Sequence, residues 1–309
     1  NVIGKIYAGI ADDMLTTTIM ATTAPKYLCP AMNTEMYNNP ITQRNLEGLR
    51  SLGYHIMDPA EGWLACGITG VGRLPEPEAI VEWLESKMFS TNELEGTTIL
   101  VTAGGTQENI DPVRYIGNRS SGKMGYAIAD QAARMGAQVI LVSAPTSLPV
   151  PSGVDFVSVD SALSMQEAVE ARYNDVNVVI MAAAVSDFRA LHKAEQKIKK
   201  MESMTIELVK NPDILQGLGS KKSHQVLVGF AAETEHVIKY GQDKVARKNL
   251  DMLVANDVSI SNAGFNVDTN EGYFLYPDKE PKKMPNMKKS DLARHILKEV
   301  IELVANKQS

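Results

Sequence analysis

Residues able to handle phosphate and carboxylate groups fall in short clusters spread from Thr102 to Asp251. The first, Thr102-Ala-Gly-Gly-Thr-Gln-Glu108, offers glycines that let backbone N–H groups approach a phosphate with no Cβ in the way. Taken alone, Gly104, Gly105 and Thr106 read first as a tight turn, and they lack the Gly-x-Gly-x-x-Gly spacing of a dinucleotide site. The second cluster, Tyr115-Ile-Gly-Asn-Arg-Ser-Ser-Gly-Lys-Met-Gly125, runs a polar loop into a helix. Ser120 or Ser121 can cap that helix, whose free N–H groups make an anion site. Capping explains the serines but not Asn118 and Arg119 beside them, which have the chemistry to orient a carboxylate or an acyl-phosphate.

Met181-Ala-Ala-Ala-Val-Ser-Asp-Phe-Arg189 ends the most apolar stretch of the chain. Residues just past the carboxyl end of a strand face the ligand crevice of an open α/β sheet. Ala183 and its small neighbours would admit a ligand there, and Asp187 can hold Mg²⁺ or a ribose hydroxyl, or merely cap a turn. Lys197-Ile-Lys-Lys200 is by default a solvated face, but an extended segment puts Lys197 and Lys199 on one side, within reach of a triphosphate. Asn211-Pro-Asp-Ile214 starts a helix, and Gly229-Phe-Ala-Ala-Glu-Thr234 ends a strand in small residues, so that Phe230 can pack on a base or in the core. Lys244, Arg247 and Lys248 lie one helical turn apart on a single face. Nearer the start, Pro30-Ala-Met-Asn-Thr-Glu-Met-Tyr37 carries Asn33 and Gly62-Trp-Leu-Ala-Cys-Gly-Ile-Thr-Gly-Val-Gly-Arg73 carries Cys66. The bland readings are a helix cap for Asn33 and a small buried thiol for Cys66.

Positioning these clusters requires alternating strands and helices. The periodicity predicts strands at 98–102, 138–143, 176–181, 225–230 and 252–255, with helices at 122–135, 162–171 and around 236–249. That alternation is the signature of an α/β, Rossmann-like, mostly parallel sheet flanked by helices. Ile198–Lys210 is strand-like but lysine-rich, and reads as an arm or flap. Before residue 92 the pattern is shorter: a short buried strand running into a loop within 26–33, one polar helix to about Leu52 closed by Gly53, a strand at 54–57, and a helix opened by Pro75 and Pro77. The polar stretch ending in Gly96 suggests two domains, 1–92 and 93–309.

Composition narrows the class. With 309 residues, 44% hydrophobic and 22% charged, the chain is an ordinary globular protein long enough for two cores. A net charge of −6 argues against a general nucleic-acid surface, and no apolar run approaches the ~20 residues of a membrane span. No charged and apolar leader opens the chain and the two cysteines cannot form a disulfide scaffold, which together suggest a cytoplasmic protein. Asn1-Val-Ile-Gly-Lys-Ile reads like the inside of a helix, so a preceding segment is expected.

In this order, Arg-Tyr-Ile-x-Asn-x-Ser-Ser-Gly-Lys-Met-Gly, Lys-Ile-Lys-Lys, Asn-Pro-Asp-Ile, Gly-Phe-Ala-Ala-Glu-Thr and Arg-Lys-Asn-Leu-Asp closely resemble the phosphopantothenate–cysteine ligases from Thr97 onward. The Asn33 and Cys66 motifs resemble the C-terminal part of a flavodoxin-like flavoprotein cysteine decarboxylase. Together they resemble the bacterial bifunctional decarboxylase/ligase family of coenzyme A biosynthesis. The resemblance implies ligation of 4′-phosphopantothenate with cysteine, driven by CTP and Mg²⁺ through an acyl-cytidylate. It assigns Asn118 to the intermediate and Lys197 to the CTP phosphates and activation. Asp187 falls to the metal and CTP. Gly104, Gly105, Thr106, Ser120, Ser121, Gly122, Ala183, Pro212, Asp213, Ile214, Leu215, Phe230, Lys244 and Lys248 fall to the nucleotide and acyl-cytidylate pocket. Gly105 stands where some relatives have proline. In the decarboxylase half the resemblance gives Asn33 to the substrate carboxyl and Cys66 to proton donation, with FMN expected only in a complete domain. It also implies a homo-oligomer, the ligase pairing as a dimer and the decarboxylase as a trimer. The competing reading, a nicotinamide-dependent oxidoreductase, wants an acidic residue after the second strand, where Val142-Ser-Ala-Pro-Thr146 has none.

Overall fold

Local signals divide the first ninety residues into short elements. In the computed structural model, which describes all residues except 65–66, 68, 89–90, 200–201, 234–235, 258–268 and 309 and the side chains of 82, 85, 86, 233, 257 and 308, the chain forms two compact units, Asn1–Ser90 and Thr91–Ser309. The first begins with α1 (Val2–Ala8), closed by Gly9 in the left-handed region, and α2 (Met14–Ala21), opened by a capping box between Asp13 and Thr16. Then come β1 (Tyr27–Leu28), α3 (Thr34–Asn38), α4 (Pro40–Ser51), β2 (His55–Ile56), β3 (Ala60–Trp63), β4 (Thr69–Arg73) and α5 (Pro77–Met88). β1 pairs in parallel with β2, and β3 with β4 as an antiparallel hairpin.

One expectation is corrected in this unit. The short strand that runs into a loop within 26–33 is Tyr27–Leu28, as long as its partner β2. The helix expected to run to Leu52 is two helices: the Asn39 side chain accepts the Ile41 N–H and Pro40 occupies the first turn, so a new helix starts where the old one stops.

The second unit opens with β5 (Thr98–Ala103), the hairpin β6 (Gln107–Asn109) and β7 (Tyr115–Gly117), α6 (Lys123–Arg134), β8 (Gln138–Ser143), β9 (Val154–Ser158) and α7 (Ala162–Glu170). It continues through β10 (Val178–Met181), β11 (Phe188–Ala190), β12 (Leu208–Lys210), α8 (Ile214–Lys221), β13 (Val226–Glu233), α9 (Val237–Arg247) and β14 (Met252–Asp257). β15 (Thr269–Leu275), β16 (Lys282–Lys288) and α10 (Lys289–Gln308) close the chain. One eight-stranded sheet runs β16-β15-β14-β13-β10-β5-β8-β9, parallel from β14 to β9 and antiparallel at β15 and β16.

Helices cover both faces, as the alternation predicts. One core sets Ile128, Ala129 and Ala132 of α6 with Leu292, Ile296 and Leu297 of α10 against Val101, Ile180 and Val228. The other sets Met165 and Val169 of α7, Leu218 of α8 and Val245 of α9 against Leu100, Val179 and Leu227. Each large aliphatic side chain so buried contributes about 1.5–3 kcal/mol, which is why strands apolar on both faces sit at the centre.

β15 and β16 escaped the sequence reading. β16 reads Lys-Lys-Met-Pro-Asn-Met-Lys, a poor strand by composition, but it lies at the sheet edge, where Pro285 forfeits no interior ladder bond and lysines discourage further pairing. The arm also differs from expectation. Among its described residues only Leu208–Lys210 is a strand, antiparallel to Phe188–Ala190, while those at 197–199 are not extended in a ladder. The placement of Lys197 and Lys199 on one side by strand alternation therefore fails, because the Ile198 backbone is bound by side chains instead of a neighbouring strand.

Candidate functional site

From β5 the chain passes through α6 to β8 on one side and later returns to β10 on the other, so a crevice opens between the loops leaving β5 and β10. This is the switch point at which open α/β sheets bind ligands. Four backbone-level bonds fix the floor. Buried Thr102 and Thr106 hydroxyls accept the Ala183 N–H at 3.1 Å and the Ser186 N–H at 2.9 Å. The Ala184 N–H donates to the Gly104 carbonyl, and the Thr106 N–H to the Ala184 carbonyl. Asn211 completes the tie by donating to the Ser186 carbonyl at 2.8 Å.

Replacing Thr102 by valine would strand the Ala183 N–H, and a buried donor left unpaired costs about 1–3 kcal/mol. Urea unfolding of Thr102→Val should show a loss in that range; a change within about 0.5 kcal/mol would mean the loop is held without the hydroxyl.

Glycine is required where the loops meet. A Cβ on Gly105 would come within 2.7 Å of the Asn118 carbonyl, and one on Gly104, whose φ is 79°, within 2.6 Å of the Ala144 carbonyl. Any other residue at position 105, proline included, brings that Cβ, so in this chain the neighbouring loop is set for glycine.

The crevice holds about 320 Å³ and is lined by Asn118, Ser120, Ser121, Gly122, Ala183, Asp187, Phe230 and Lys244, all singled out from sequence. Asn118 is positioned by β7 and donates from Nδ2 to the Val185 carbonyl at 3.0 Å, tying the two crevice loops together. The expected serine cap is corrected: Gly122, at φ 75°, is the N-cap of α6, and Ser120 Oγ accepts the Gly122 N–H one residue before the helix. The glycine cap brings the start of α6, with Ser121, Gly122 and Lys123, to the wall of the crevice.

The other sequence candidates lie elsewhere. Gly104, Gly105 and Thr106 build the floor rather than the lining. Ile214 and Leu215 are buried in the second core, and only Pro212 and Asp213 of that motif reach the surface. Asp213 caps α8 by accepting the Gln216 N–H, and Lys248 pairs with it at 2.8 Å. Burial opposes ionisation of Asp213, but Lys248 and the Gln216 N–H outweigh it and hold the carboxyl below its ordinary value. Lys197 is outside the lining, on the docked arm.

Sequence reasoning missed part of the lining. Asn256 lies near the end of β14, Asn270 lies on β15 and Lys289 opens α10; strand ends in this region carried no turn motif to draw notice. Asn256 Oδ1 is buried with no hydrogen-bond partner among the described residues. Lys123, Lys244 and Lys289 come from α6, α9 and α10, and Asp187 is the one carboxylate among the described lining residues, a set that suits a polyanion bound with a divalent cation.

In the first unit Asn33 is the N-cap of α3, its Oδ1 accepting the Glu35 N–H at 2.8 Å. Gly72 of β4, at φ 143°, lies so close to the Asn33 loop that a Cβ would meet the Met32 carbonyl at 2.1 Å, and its own carbonyl accepts the Met32 N–H. The hairpin is therefore packed on the Asn33 loop. Cys66, which falls between β3 and β4 in the sequence, lies outside the described residues. A groove of about 770 Å³ in this unit is lined mainly by α1 and by Leu28–Met32.

Residues 94–304 match the profile of the DNA/pantothenate metabolism flavoprotein C-terminal domain, and residues 1–89 the flavoprotein profile. The chain is 48% identical over 307 residues to the coenzyme A biosynthesis bifunctional protein CoaBC of Bacillus subtilis (strain 168), covering 98% of this chain and 76% of that protein. It is 45% identical over 306 residues to the protein of the same name from Escherichia coli (strain K12), covering 97% and 75%. Among solved structures, the crystal structure of the C-terminal domain of a coenzyme A biosynthesis bifunctional protein CoaBC superposes with a TM-score of 0.61 at 44% identity, covering 70% of this chain and all of that one.

Proposed function

The chain belongs to the bifunctional coenzyme A biosynthesis family, which joins a phosphopantothenoylcysteine decarboxylase to a phosphopantothenate–cysteine ligase, and from that premise we propose that the switch-point crevice is a CTP-dependent ligase site. The single observation that supports it most is the convergence of Lys123, Lys244, Lys289, Asp187, Asn118 and the glycine-capped start of α6 on one cavity. The carboxylate of 4′-phosphopantothenate attacks the α-phosphorus of CTP, forming an acyl-cytidylate and expelling pyrophosphate. The amine of cysteine then attacks the acyl carbon, forming the amide and expelling CMP.

Both reactants of the first step are anions, so the protein's task is to neutralise and align them. Lys123, Lys244 and Lys289 offset the triphosphate charge, and the N–H groups at the start of α6 face phosphate oxygens. Asp187 would hold Mg²⁺, which supplies further charge neutralisation at the phosphates. Phe230 offers an aromatic face beside the small Ala231 and Ala232 for a base to lie against. Asn118, fixed by Val185, presents its amide where the mixed anhydride must be held for cysteine. Lys197 acts on the CTP phosphates from the arm.

In the first unit we assign Asn33 to the carboxyl of phosphopantothenoylcysteine and Cys66 to proton donation. The apolar groove lined by α1 and by Leu28–Met32 suits a planar ring better than a phosphate, since Lys5, the one lysine or arginine among its described lining residues, is engaged by Asp12 and Asp13; FMN held there would supply the redox chemistry at the substrate thiol. No described helix is long and apolar enough to cross a membrane, and we place the enzyme in the cytoplasm as a homo-oligomer with paired ligase and trimeric decarboxylase domains. The nicotinamide reading loses support, as β8 ends at Ser143 and runs into Ala144 and Pro145 with no carboxylate for a ribose.

Nucleotide choice tests the proposal. With phosphopantothenate, cysteine and Mg²⁺, the chain should release pyrophosphate at least about tenfold faster with CTP than with ATP, a difference of about 1.4 kcal/mol in the barrier. Equal or better turnover with ATP, or tight NADPH binding without pyrophosphate release, would count against it.

A further inference from the structure

The turn between β6 and β7 contains a carboxylate with no part in the crevice. Asp111 is 0% exposed, yet it does not pair with one cation alone; it gathers two separate pieces of backbone. Its Oδ1 accepts the Val113 N–H at 2.8 Å and the Arg114 N–H at 2.9 Å, closing the turn on itself. Its Oδ2 accepts Arg114 Nε at 3.0 Å and Nη2 at 2.6 Å, and also the N–H of Ile198 at 3.1 Å, a residue 87 positions away. Arg114 Nη2 donates in turn to the Ile198 carbonyl at 2.6 Å, so the backbone N–H and C=O of Ile198 are both taken by one ion pair. The Ala194 N–H adds a bond to the Ile110 carbonyl at 2.9 Å.

We infer that Asp111 is a positioning residue, which docks the lysine arm onto the β6–β7 hairpin and so places Lys197 relative to Asn118. The inference rests on the proposed role of Lys197 in the activation step. The hairpin is a fit dock because it is itself rigidly held. Buried Glu108 accepts the Ala162 N–H at the start of α7, the Gln107 N–H donates to the Asp160 carbonyl, and β7 leads directly into Asn118. The arm has no comparable support of its own: between Leu191 and Lys199 no described residue belongs to a strand or helix. Burial would push the Asp111 carboxyl up, but the Val113 N–H, the Arg114 guanidinium and the Ile198 N–H keep it well below the ordinary carboxylate range, as a group serving as a fixed acceptor needs.

The two oxygens divide the labour in a way a single substitution can separate. In Asp111→Asn the carbonyl oxygen can still close the turn through Val113 and Arg114, while the amide that replaces Oδ2 presents hydrogens to the Ile198 N–H and to the guanidinium. The turn survives and the dock is lost. Ile198→Pro removes the other half of the bond, the backbone N–H, without touching the turn, and serves if Asp111→Asn fails to fold.

Three measurements on the full chain decide the matter: hydrogen exchange of the 191–199 segment, pyrophosphate release from CTP and phosphopantothenate, and the melting temperature. In both variants exchange at 191–199 should rise about tenfold or more, exchange in β5 should not change, and kcat for pyrophosphate release should fall about tenfold or more with Tm within a few degrees of the parent. Unchanged exchange at 191–199 overturns the docking. Raised exchange with parental kcat, while Lys197→Gln abolishes pyrophosphate release, overturns the positioning role. If Lys197→Gln itself releases pyrophosphate normally, the proposed role of Lys197 fails instead, and exchange alone still judges whether Asp111 docks the arm.

Discussion

Lys197→Gln should release almost no pyrophosphate from CTP and phosphopantothenate, whereas Asn118→Asp should release about one equivalent and then stall with acyl-cytidylate bound. Activation brings a carboxylate against a triphosphate, and each charge that offsets their repulsion in a desolvated site is worth about 10²–10³ in rate. Losing the arm's ammonium therefore strikes the first step. Asn118 differs in kind. Its Nδ2 donates to the Val185 carbonyl and holds the two crevice loops together, and aspartate can neither make that bond nor tolerate a further anion beside Asp187. The lysines of the crevice remain, so the anhydride still forms, but it is no longer held for attack by cysteine. Rapid-quench separation of labelled CTP, acyl-cytidylate and CMP distinguishes the two variants. Intermediate accumulating with Lys197→Gln and not with Asn118→Asp would reverse the roles.

Two helical glycines should respond in opposite directions to an added side chain. A Cβ on Gly125 of α6 would lie 2.6 Å from the Ala103 Cβ and 2.8 Å from the Thr102 carbonyl, so Gly125→Val must lift α6 from β5. Overpacking of that kind costs about 3 kcal/mol, on the order of 10 °C in Tm for a unit of this size. Gly217 of α8 has nothing within 4 Å of its ideal Cβ, so Gly217→Ala should add about 0.5–1 kcal/mol through helix propensity and a less mobile unfolded chain. Differential scanning calorimetry of the two variants tests both signs. A Gly125→Val protein melting within about two degrees of the parent would show that α6 has slack the structure denies it.

Central elements were legible because their residues meet the same demand everywhere along them. Strands such as Val178–Met181 are apolar on both faces since helices cover both, and the helices between them repeat at the period that buries one stripe. The crevice loops were legible for a related reason, as a parallel sheet delivers the residue after each strand to the same edge. Asn118, Ala183, Asp187 and Phe230, scattered over more than a hundred positions, meet there. Composition misled where an element's surroundings were unusual. β16, with a proline and three lysines, is a strand only because it has an edge to itself, and Lys197–Lys199 resembles a strand but finds side chains instead of a partner ladder.

What the sequence determined by itself was therefore whatever depends on neighbours in the chain: the order of the central strands and helices, the Asn33 cap, the helix start at Asn211-Pro-Asp-Ile214, and the family motifs. Only the tertiary structure decided which candidates share a cavity. It put Lys289 and Asn256 into the crevice and paired Lys248 with Asp213. It sent Ile214 and Leu215 to the core and joined Asp111 to Ile198. Asp213 and Lys248 are 35 residues apart, Asp111 and Ile198 are 87 apart, and Lys289 lies 171 residues beyond Asn118. No local pattern marks such a pairing, because its stability comes from burial and geometry that exist only once the sheet has assembled.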